Sequence, residues 1–372
     1  MLRATVNNQL NVTRQPDRDQ AVLMIGPSIA ARGGVASVCA EYSRFGIFDR
    51  LNIIYLTTFE RGSTLHKVGV ACSAMLTAMR LFRRGNILGL HAHSATNASF
   101  WRKAVFCIAA RLYRVPYVLH LHSGDMPAFL ARCTWFGRFF AIKLILAADR
   151  VIVLSPEWAI WLQRIAPQVR IEVVPNPVQL PSGTVATRKS RMPTILFLGR
   201  LEAAKGVPEL LDAFASVLQK FPDAILFLGG EGDLEGVRKQ TRHLSIESSV
   251  RALGWVSGQQ KLDLLSSCWV FALPSHHEGM PVGMLEAMAF GMPCIGTPVG
   301  AVPSLLTASG GGFVVPINHT KDLASSLELL FHDNELRLRM GRCAALHVHE
   351  NYATEIVESK LKEIYKNLRD ER

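Results

Sequence analysis

One unit repeated along this chain constrains its fold more than any other feature: a short apolar run, a glycine turn, then a helix-length amphipathic stretch. Residues 22–25 (VLMI) run into Gly26-Pro27 and Gly33-Gly34, after which residues 35–42 read as a helix. An apolar run without alternation suits a strand buried on both faces, and helices placed between such strands make them parallel. Further strand-like runs lie at 52–56, 87–91, 117–122, 151–154 and 171–174, separated by helical stretches such as 68–83 and 100–114. Residues 21–175 therefore predict one α/β domain.

The pattern then breaks. Across residues 176–192, Pro177, Pro181 and Gly183 punctuate a polar stretch that holds neither helix nor strand for long, which predicts a linker. A second series opens at 194–198, turns at Gly199-Arg200 and enters a helix near Pro208, a residue tolerated in a first helical turn. Runs 224–228, 250–253 and 270–273 meet Gly229-Gly230, Gly254 and Pro274-Ser275 in turn. Residues 193–350 thus predict a second α/β domain. Residues 351–372 predict a charged amphipathic helix that caps the second domain or packs back on the first, and residues 1–20 a flexible tail. The expected fold class is α/β, two Rossmann-like doubly wound domains facing across a cleft, with ligands at the carboxyl ends of the strands.

Composition fits that architecture. The 372 residues suffice for two cores, and 49% hydrophobic against 19% charged residues describes a globular chain. The seven cysteines form no C-x-x-C pair and read as small buried residues in a reducing compartment. No run reaches the roughly eighteen uncharged apolar residues of a membrane span; the best, 139–154, is interrupted by Lys143, Asp149 and Arg150. The first twenty residues hold no apolar core of a signal peptide, which argues against secretion by that route. The net charge of +11 is uneven: residues 1–180 carry 21 Lys and Arg against 9 Asp and Glu, the remainder 20 against 21. The basic half either faces something anionic, such as nucleic acid, a phosphorylated lipid or a bilayer surface, or serves only solubility.

The strongest chemical signal is the stretch 274–293, PSHHEGMPVGMLEAMAFGMP. A strand end delivers Glu278 into a Gly279-Met280-Pro281 turn, and the following helix presents Glu286 about one turn in, so both carboxylates can face one cleft. Backbone N–H groups from Gly279 to Met284 lie at a helix start, a ready anion site. Amides for phosphate and carboxylates for hydroxyls suit a sugar diphosphate.

Two glutamates seven residues apart, set in Glu-Gly-x-Pro and Glu-Ala-Met-Ala-x-Gly-x-Pro, resemble the signature of retaining glycosyltransferase family 4, enzymes of the two-domain GT-B fold. The likeness extends to Gly199-Arg200 with Lys205-Gly206, to the turn Leu228-Gly-Gly-Glu-Gly232, and to residues 250–256. In the first half it covers Gly33-Gly34-Val35, His91-Ala-His93, His120-Leu-His122 and residues 173–178. It is most similar to the type that builds bacterial exopolysaccharides on lipid-linked saccharides.

The resemblance implies roles. Arg200 and Lys205 neutralise the leaving diphosphate without a bound metal, Gly33 and Gly34 offer amides from the first domain, and Gly230 belongs to the next glycine turn. Glu286 binds ribose hydroxyls, Glu278 holds the transferred sugar, and His122 is the active-site histidine, whereas His91 and His120 read as structural. Charge accumulating on the leaving group has to be met where it develops, which the cations supply. By the same likeness, transfer retains configuration through front-side attack of the acceptor hydroxyl, and no cofactor is implied beyond the UDP- or GDP-sugar itself. Two positions depart from the family pattern: Ser304 stands where relatives reach a Glu, and Asn176-Pro177 replaces Asn-Gly.

Residues 129–143 interleave Trp135, Phe136, Phe139 and Phe140 with Arg132, Arg138 and Lys143. That mix suits a helix lying in a membrane interface, or a helix packing its aromatics into the core. With the basic first half it predicts a cytoplasmic protein, peripheral at the inner face of the membrane, working on a lipid-linked or saccharide acceptor. A nucleotide-sugar epimerase of the same build and a basic nucleic-acid-binding protein are the competing readings; against the latter, no nucleic-acid motif is present and partnership with nucleic acid is not expected.

Overall fold

The structure, a computed structural model, describes residues 20–181 and 190–371. Residues 1–19 of the expected 1–20 tail and most of the expected linker (182–189) lie outside the described residues. Two six-stranded parallel sheets organise the chain. The first holds β1 (Ala21–Pro27), β2 (Ile53–Phe59), β3 (Ile87–Ser94), β4 (Tyr117–Leu121), β5 (Arg150–Val153) and β6 (Ile171–Val173), in the order β2-β1-β3-β4-β5-β6. The second holds β7 (Thr194–Leu198), β8 (Ile225–Gly229), β9 (Val250–Gly254), β10 (Val270–Leu273), β11 (Cys294–Gly296) and β12 (Gly312–Val314), in the order β12-β11-β10-β7-β8-β9.

Central strands are buried throughout, as their unbroken apolar runs require: every residue of β3, β4 and β10 is buried. Strand order reverses between β1 and β3 in one sheet and between β7 and β10 in the other. Connections leaving those neighbours diverge to opposite faces and open a crevice at their carboxyl ends, where ligands bind in doubly wound sheets. Gly33 and Gly34 follow β1, His122 follows β4, Lys205 follows β7 and Glu278 follows β10, all on the carboxyl side of their strands.

Two helices differ from expectation. The segment 129–143 is not one helix but two, Met126–Arg132 and Trp135–Leu146. Thr134 starts the second, its hydroxyl accepting from the Gly137 N–H at 3.2 Å, a local bond that competes with continuing the first helix. At the carboxyl end, the predicted single helix over 351–372 is the tail of Asn334–Tyr352 followed by Thr354–Asp370, with a break at Ala353, which forms a bridge to Val178. The final helix lies on the first sheet. Val357, Leu361, Ile364 and Leu368 are buried there with Val22, Met24, Val118 and Ile152, and Arg50 grips Glu358 through two hydrogen bonds of 2.7 and 2.5 Å. The chain thus returns to its first sheet after completing its second.

Candidate functional site

The second-sheet side of the site is built on tightly apposed turns. A Cβ on Gly230 would lie 1.6 Å from the Gly199 carbonyl oxygen, so glycine is what allows the two turns after β7 and β8 to touch. Gly206, at φ 70°, likewise lets the turn after Lys205 approach the Pro274 carbonyl, where a Cβ would come within 1.9 Å. That approach delivers Lys205 to Glu278: its Nζ donates to Glu278 Oε1 at 2.7 Å and to the His277 carbonyl at 3.2 Å. Ser275 Oγ donates to the same carboxylate oxygen at 2.7 Å. Glu278 is therefore a mostly buried carboxylate held from two sides.

Glu286 sits in the helix Val282–Ala289 and receives a bond of 2.6 Å from Lys261, on the neighbouring helix Gly258–Ser267. Arg200 stands apart from this cluster. Its guanidinium pairs with Glu202 at 3.0 Å and is 69% exposed, so the structure does not join it to Lys205. The expected amide cradle is also narrower than the sequence suggests, because the N–H groups of Met284 and Leu285 both donate to the Pro281 carbonyl. The Met280 side chain belongs to the second core rather than the cleft.

The first sheet faces these groups. After β1, Gly33 adopts φ 141° and Gly34 opens the helix Gly34–Arg44. A Cβ on either would meet no protein atom within 4 Å, so internal packing does not account for glycine at 34. His122 follows β4, and its carbonyl lies against Gly279, where a Cβ would come within 2.5 Å. A Cβ on Gly124 would lie 1.6 Å from the Glu278 carbonyl oxygen. The two halves thus touch, backbone to backbone, beside the paired carboxylates. Asn176 adds a side-chain link, its Nδ2 donating to the Met280 carbonyl at 2.9 Å. Farther out, Arg32 and Arg61 both bond the Glu231 carboxylate, Arg61 at 2.7 Å, and hold it below the usual carboxylate range, Arg61 first and Arg32 second.

Behind His122 stand His91, His93 and His120, all buried. Burial pushes His91 down to about 3 and holds His93 and His120 well below 6.5, so the rings are neutral. Burial lowers His122 as well, opposed by the Asn176 side chain. Ligand atoms of His91, His93 and His120 lie within 4.8 Å of one another, the only such trio of His, Cys, Asp or Glu found among the described residues. The trio does not fit a metal. Both His91 nitrogens are already engaged, Nδ1 with the Tyr365 hydroxyl at 2.6 Å and Nε2 with His120 Nδ1 at 3.1 Å, and His91 and His93 stack 4.6 Å apart at 16°.

On the outer face of the first domain, Trp135, Phe136 and Phe140 are 73, 66 and 60% exposed, which rules out the core-packed alternative for that helix. A groove of about 360 Å³ runs beside it, lined by Trp101, Phe129, Arg132 and Thr134 among others. No helix among the described residues is long and apolar enough to cross a membrane.

Sequence reasoning placed Glu278, Glu286, Lys205, Gly33, Gly34 and His122 around one cleft. It missed Lys261, Arg32 and Arg61, and it named Ser275 and Asn176 only as members of matched stretches, without their contacts. Ser275 sits inside the recognised motif, but the rest reach the site from neighbouring helices, loops or the opposite half, and periodicity carries no signal for such contacts.

Solved structures share this architecture. A sucrose-phosphate synthase from Thermosynechococcus elongatus superposes with a TM-score of 0.77 at 16% identity, covering 95% of this chain and 100% of that one. Anabaena HepE in complex with UDP-glucose gives 0.73 at 17%, covering 94% and 100%. Fold and facing crevices are those of the two-domain GT-B architecture. Residues 26–180 match the model of Glycosyltransferase Family 4 and residues 185–347 that of Glycosyl transferases group 1. A phosphatidyl-myo-inositol mannosyltransferase from Mycobacterium leprae is 31% identical over 76% of this chain and 74% of its own length. The chain belongs to glycosyltransferase family 4. Other relatives are matched over less of their length: an uncharacterized glycosyltransferase of Haemophilus influenzae at 28% identity over 61% of this chain and 63% of its own, and an N-acetyl-alpha-D-glucosaminyl L-malate synthase of Bacillus anthracis at 28% over 48% and 46%.

Proposed function

We propose that this protein transfers a hexose, with retention of configuration, from a UDP- or GDP-sugar to a saccharide acceptor carried on a polyprenyl diphosphate in polysaccharide assembly. The observation that carries this reading is the Glu278 carboxylate, fixed by Lys205 and Ser275 at the carboxyl end of β10 and backed by the His122 loop of the other half.

In this reading Glu278 binds hydroxyls of the transferred sugar and Glu286 those of the ribose. Lys205 meets the charge that grows on the leaving diphosphate, where a fixed cation in a partly dry cleft acts most strongly. Arg200 turns from Glu202 to join it in the donor complex, and the amides at Gly33 and Gly34 approach from the opposite wall, where a Cβ would meet no protein atom. Fixed cations take the part a metal ion plays elsewhere, so transfer is metal-independent. A UDP-sugar donor is favoured by the likeness to HepE, a structure solved with UDP-glucose. A lipid-borne acceptor agrees with a relative named for transfer to phosphatidyl-myo-inositol. The exposed aromatics of Trp135–Leu146, flanked by Arg138 and Lys143, then rest in an anionic bilayer surface at the cytoplasmic face.

Incubation of the protein with a panel of nucleotide sugars, with and without lipid-extracted acceptors, tests the reading. Free nucleotide released only when acceptor is present supports transfer. Conversion of one nucleotide sugar into another without acceptor would establish an epimerase instead.

A further inference from the structure

Parallel pairing of β3 with β4 sets His93 opposite His120, and His122 follows two residues later, so four imidazoles fall into one stack behind the cleft. Their ring nitrogens can be accounted for one by one. His93 Nδ1 lies 2.7 Å from His122 Nε2. His91 Nε2 lies 3.1 Å from His120 Nδ1, and His91 Nδ1 lies 2.6 Å from the Tyr365 hydroxyl. His93 Nε2 and His120 Nε2 are buried without any hydrogen-bond partner.

A neutral imidazole carries one N–H and one lone pair. A buried N–H left without an acceptor is rarer and costlier than a buried lone pair left without a donor. The two orphaned Nε2 atoms are therefore the lone pairs, and the protons of His93 and His120 sit on Nδ1. His93 Nδ1–H then donates to His122 Nε2. That nitrogen accepts, which leaves Nδ1 as the only place for the His122 proton. The same logic runs the other way through the stack, with His120 Nδ1–H donating to His91 Nε2 and His91 Nδ1–H donating to Tyr365.

Asn176 points in the same direction. Its Nδ2 is committed to the Met280 carbonyl at 2.9 Å, which leaves Oδ1 as its other polar atom. That oxygen is buried with no hydrogen-bond partner, and the Asn176 side chain is the group that favours a proton on His122. It is an acceptor suited to a ring N–H and of no use to a bare nitrogen.

The geometry points to His93 as a positioning residue that fixes His122 in its Nδ1–H tautomer: Nε2 accepts from His93 and the Nδ1–H is left to Asn176 Oδ1, so His122 is a neutral ring with no free lone pair and not a general base. The functional half of this inference rests on the transferase reading above; the tautomer does not. Its consequence for the reaction is that the acceptor hydroxyl gives its proton to another group, for which the departing phosphate oxygen is placed by the front-side mechanism.

Long-range 1H–15N correlation spectra of the full chain labelled with 15N-histidine, at pH 7.5, test the tautomer directly, with the His122 signals identified by their loss in His122→Gln. The Nδ1–H pattern is expected for His122; an Nε2–H pattern in the wild-type protein overturns the inference. His93→Asn keeps an N–H close to the place of Nδ1, so the His122 pattern and kcat should stay within about threefold of wild type, whereas His93→Leu should mix the tautomers and lower kcat at least about tenfold at unchanged donor KM. Wild-type kcat in His93→Leu with an altered His122 spectrum would contradict the positioning role. If His93→Leu fails to fold, the wild-type spectrum still decides the tautomer. An Nδ1–H spectrum in a protein that transfers no sugar would sink the transferase reading alone.

Discussion

Lys261 Nζ lies 2.6 Å from Glu286 Oε1, a charge pair between two helices of the second half in which neither side chain is more than 27% exposed. A carboxylate so placed depends on its partner for orientation as well as for charge balance. In the proposed site Glu286 binds ribose, a part of the donor that does not change during transfer, so this pair contributes equally to ground state and transition state. Lys261→Ala should therefore raise donor KM about tenfold and leave kcat within about twofold. A fall in kcat at constant KM would place Lys261 at the transferred sugar instead.

The exposed aromatic face makes a separate prediction. Trp135, Phe136 and Phe140 contribute little to the core, so changing all three to Ser should alter the unfolding free energy by no more than about 1.5 kcal/mol. Binding to vesicles containing phosphatidylglycerol should drop at least about tenfold in co-sedimentation, since each aromatic loses apolar burial in the interface. Transfer to a water-soluble acceptor should be unchanged. Undiminished vesicle binding would detach this helix from membrane contact.

The buried histidines predict how stability varies with pH. Their folded-state pKa values lie below the unfolded value of 6.5, so the unfolded chain binds protons that the folded chain refuses. Their contribution is complete above pH 6.5 and is lost as pH falls, toward about 3 for His91. Each such ring adds a slope of about 1.4 kcal/mol per pH unit below 6.5. Urea unfolding at pH 7.5, 6.0 and 5.0 should show a steep loss of stability, and His120→Gln should flatten it. Equal slopes in the two proteins would show that other groups govern the acid limb.

Much of the architecture is legible in the sequence because buried parallel strands leave unbroken apolar runs, and the stretch 274–293 carries its chemistry within one local unit. Pairings across the fold are not legible in the same way. His93 and His122 are brought together by strand register, and Lys261 reaches Glu286 from a separate helix. The division at Cys133-Thr134 turns on one hydroxyl outcompeting helical continuation in an otherwise apolar segment. Arg200 shows the converse. A motif names the residue but not its rotamer, and its guanidinium pairs with Glu202.

In the proposed function, the carboxylate of Glu278 and the ammonium of Lys205 form the donor site of a sugar transfer. The most direct measurement is kcat for Glu278→Ala and Lys205→Ala with the best donor, beside circular dichroism and thermal unfolding of the same samples. Both variants should keep the fold and lose about 100-fold or more in kcat, as expected when a group facing the transition state is removed. Folded variants that both transfer sugar at the wild-type rate would contradict the account.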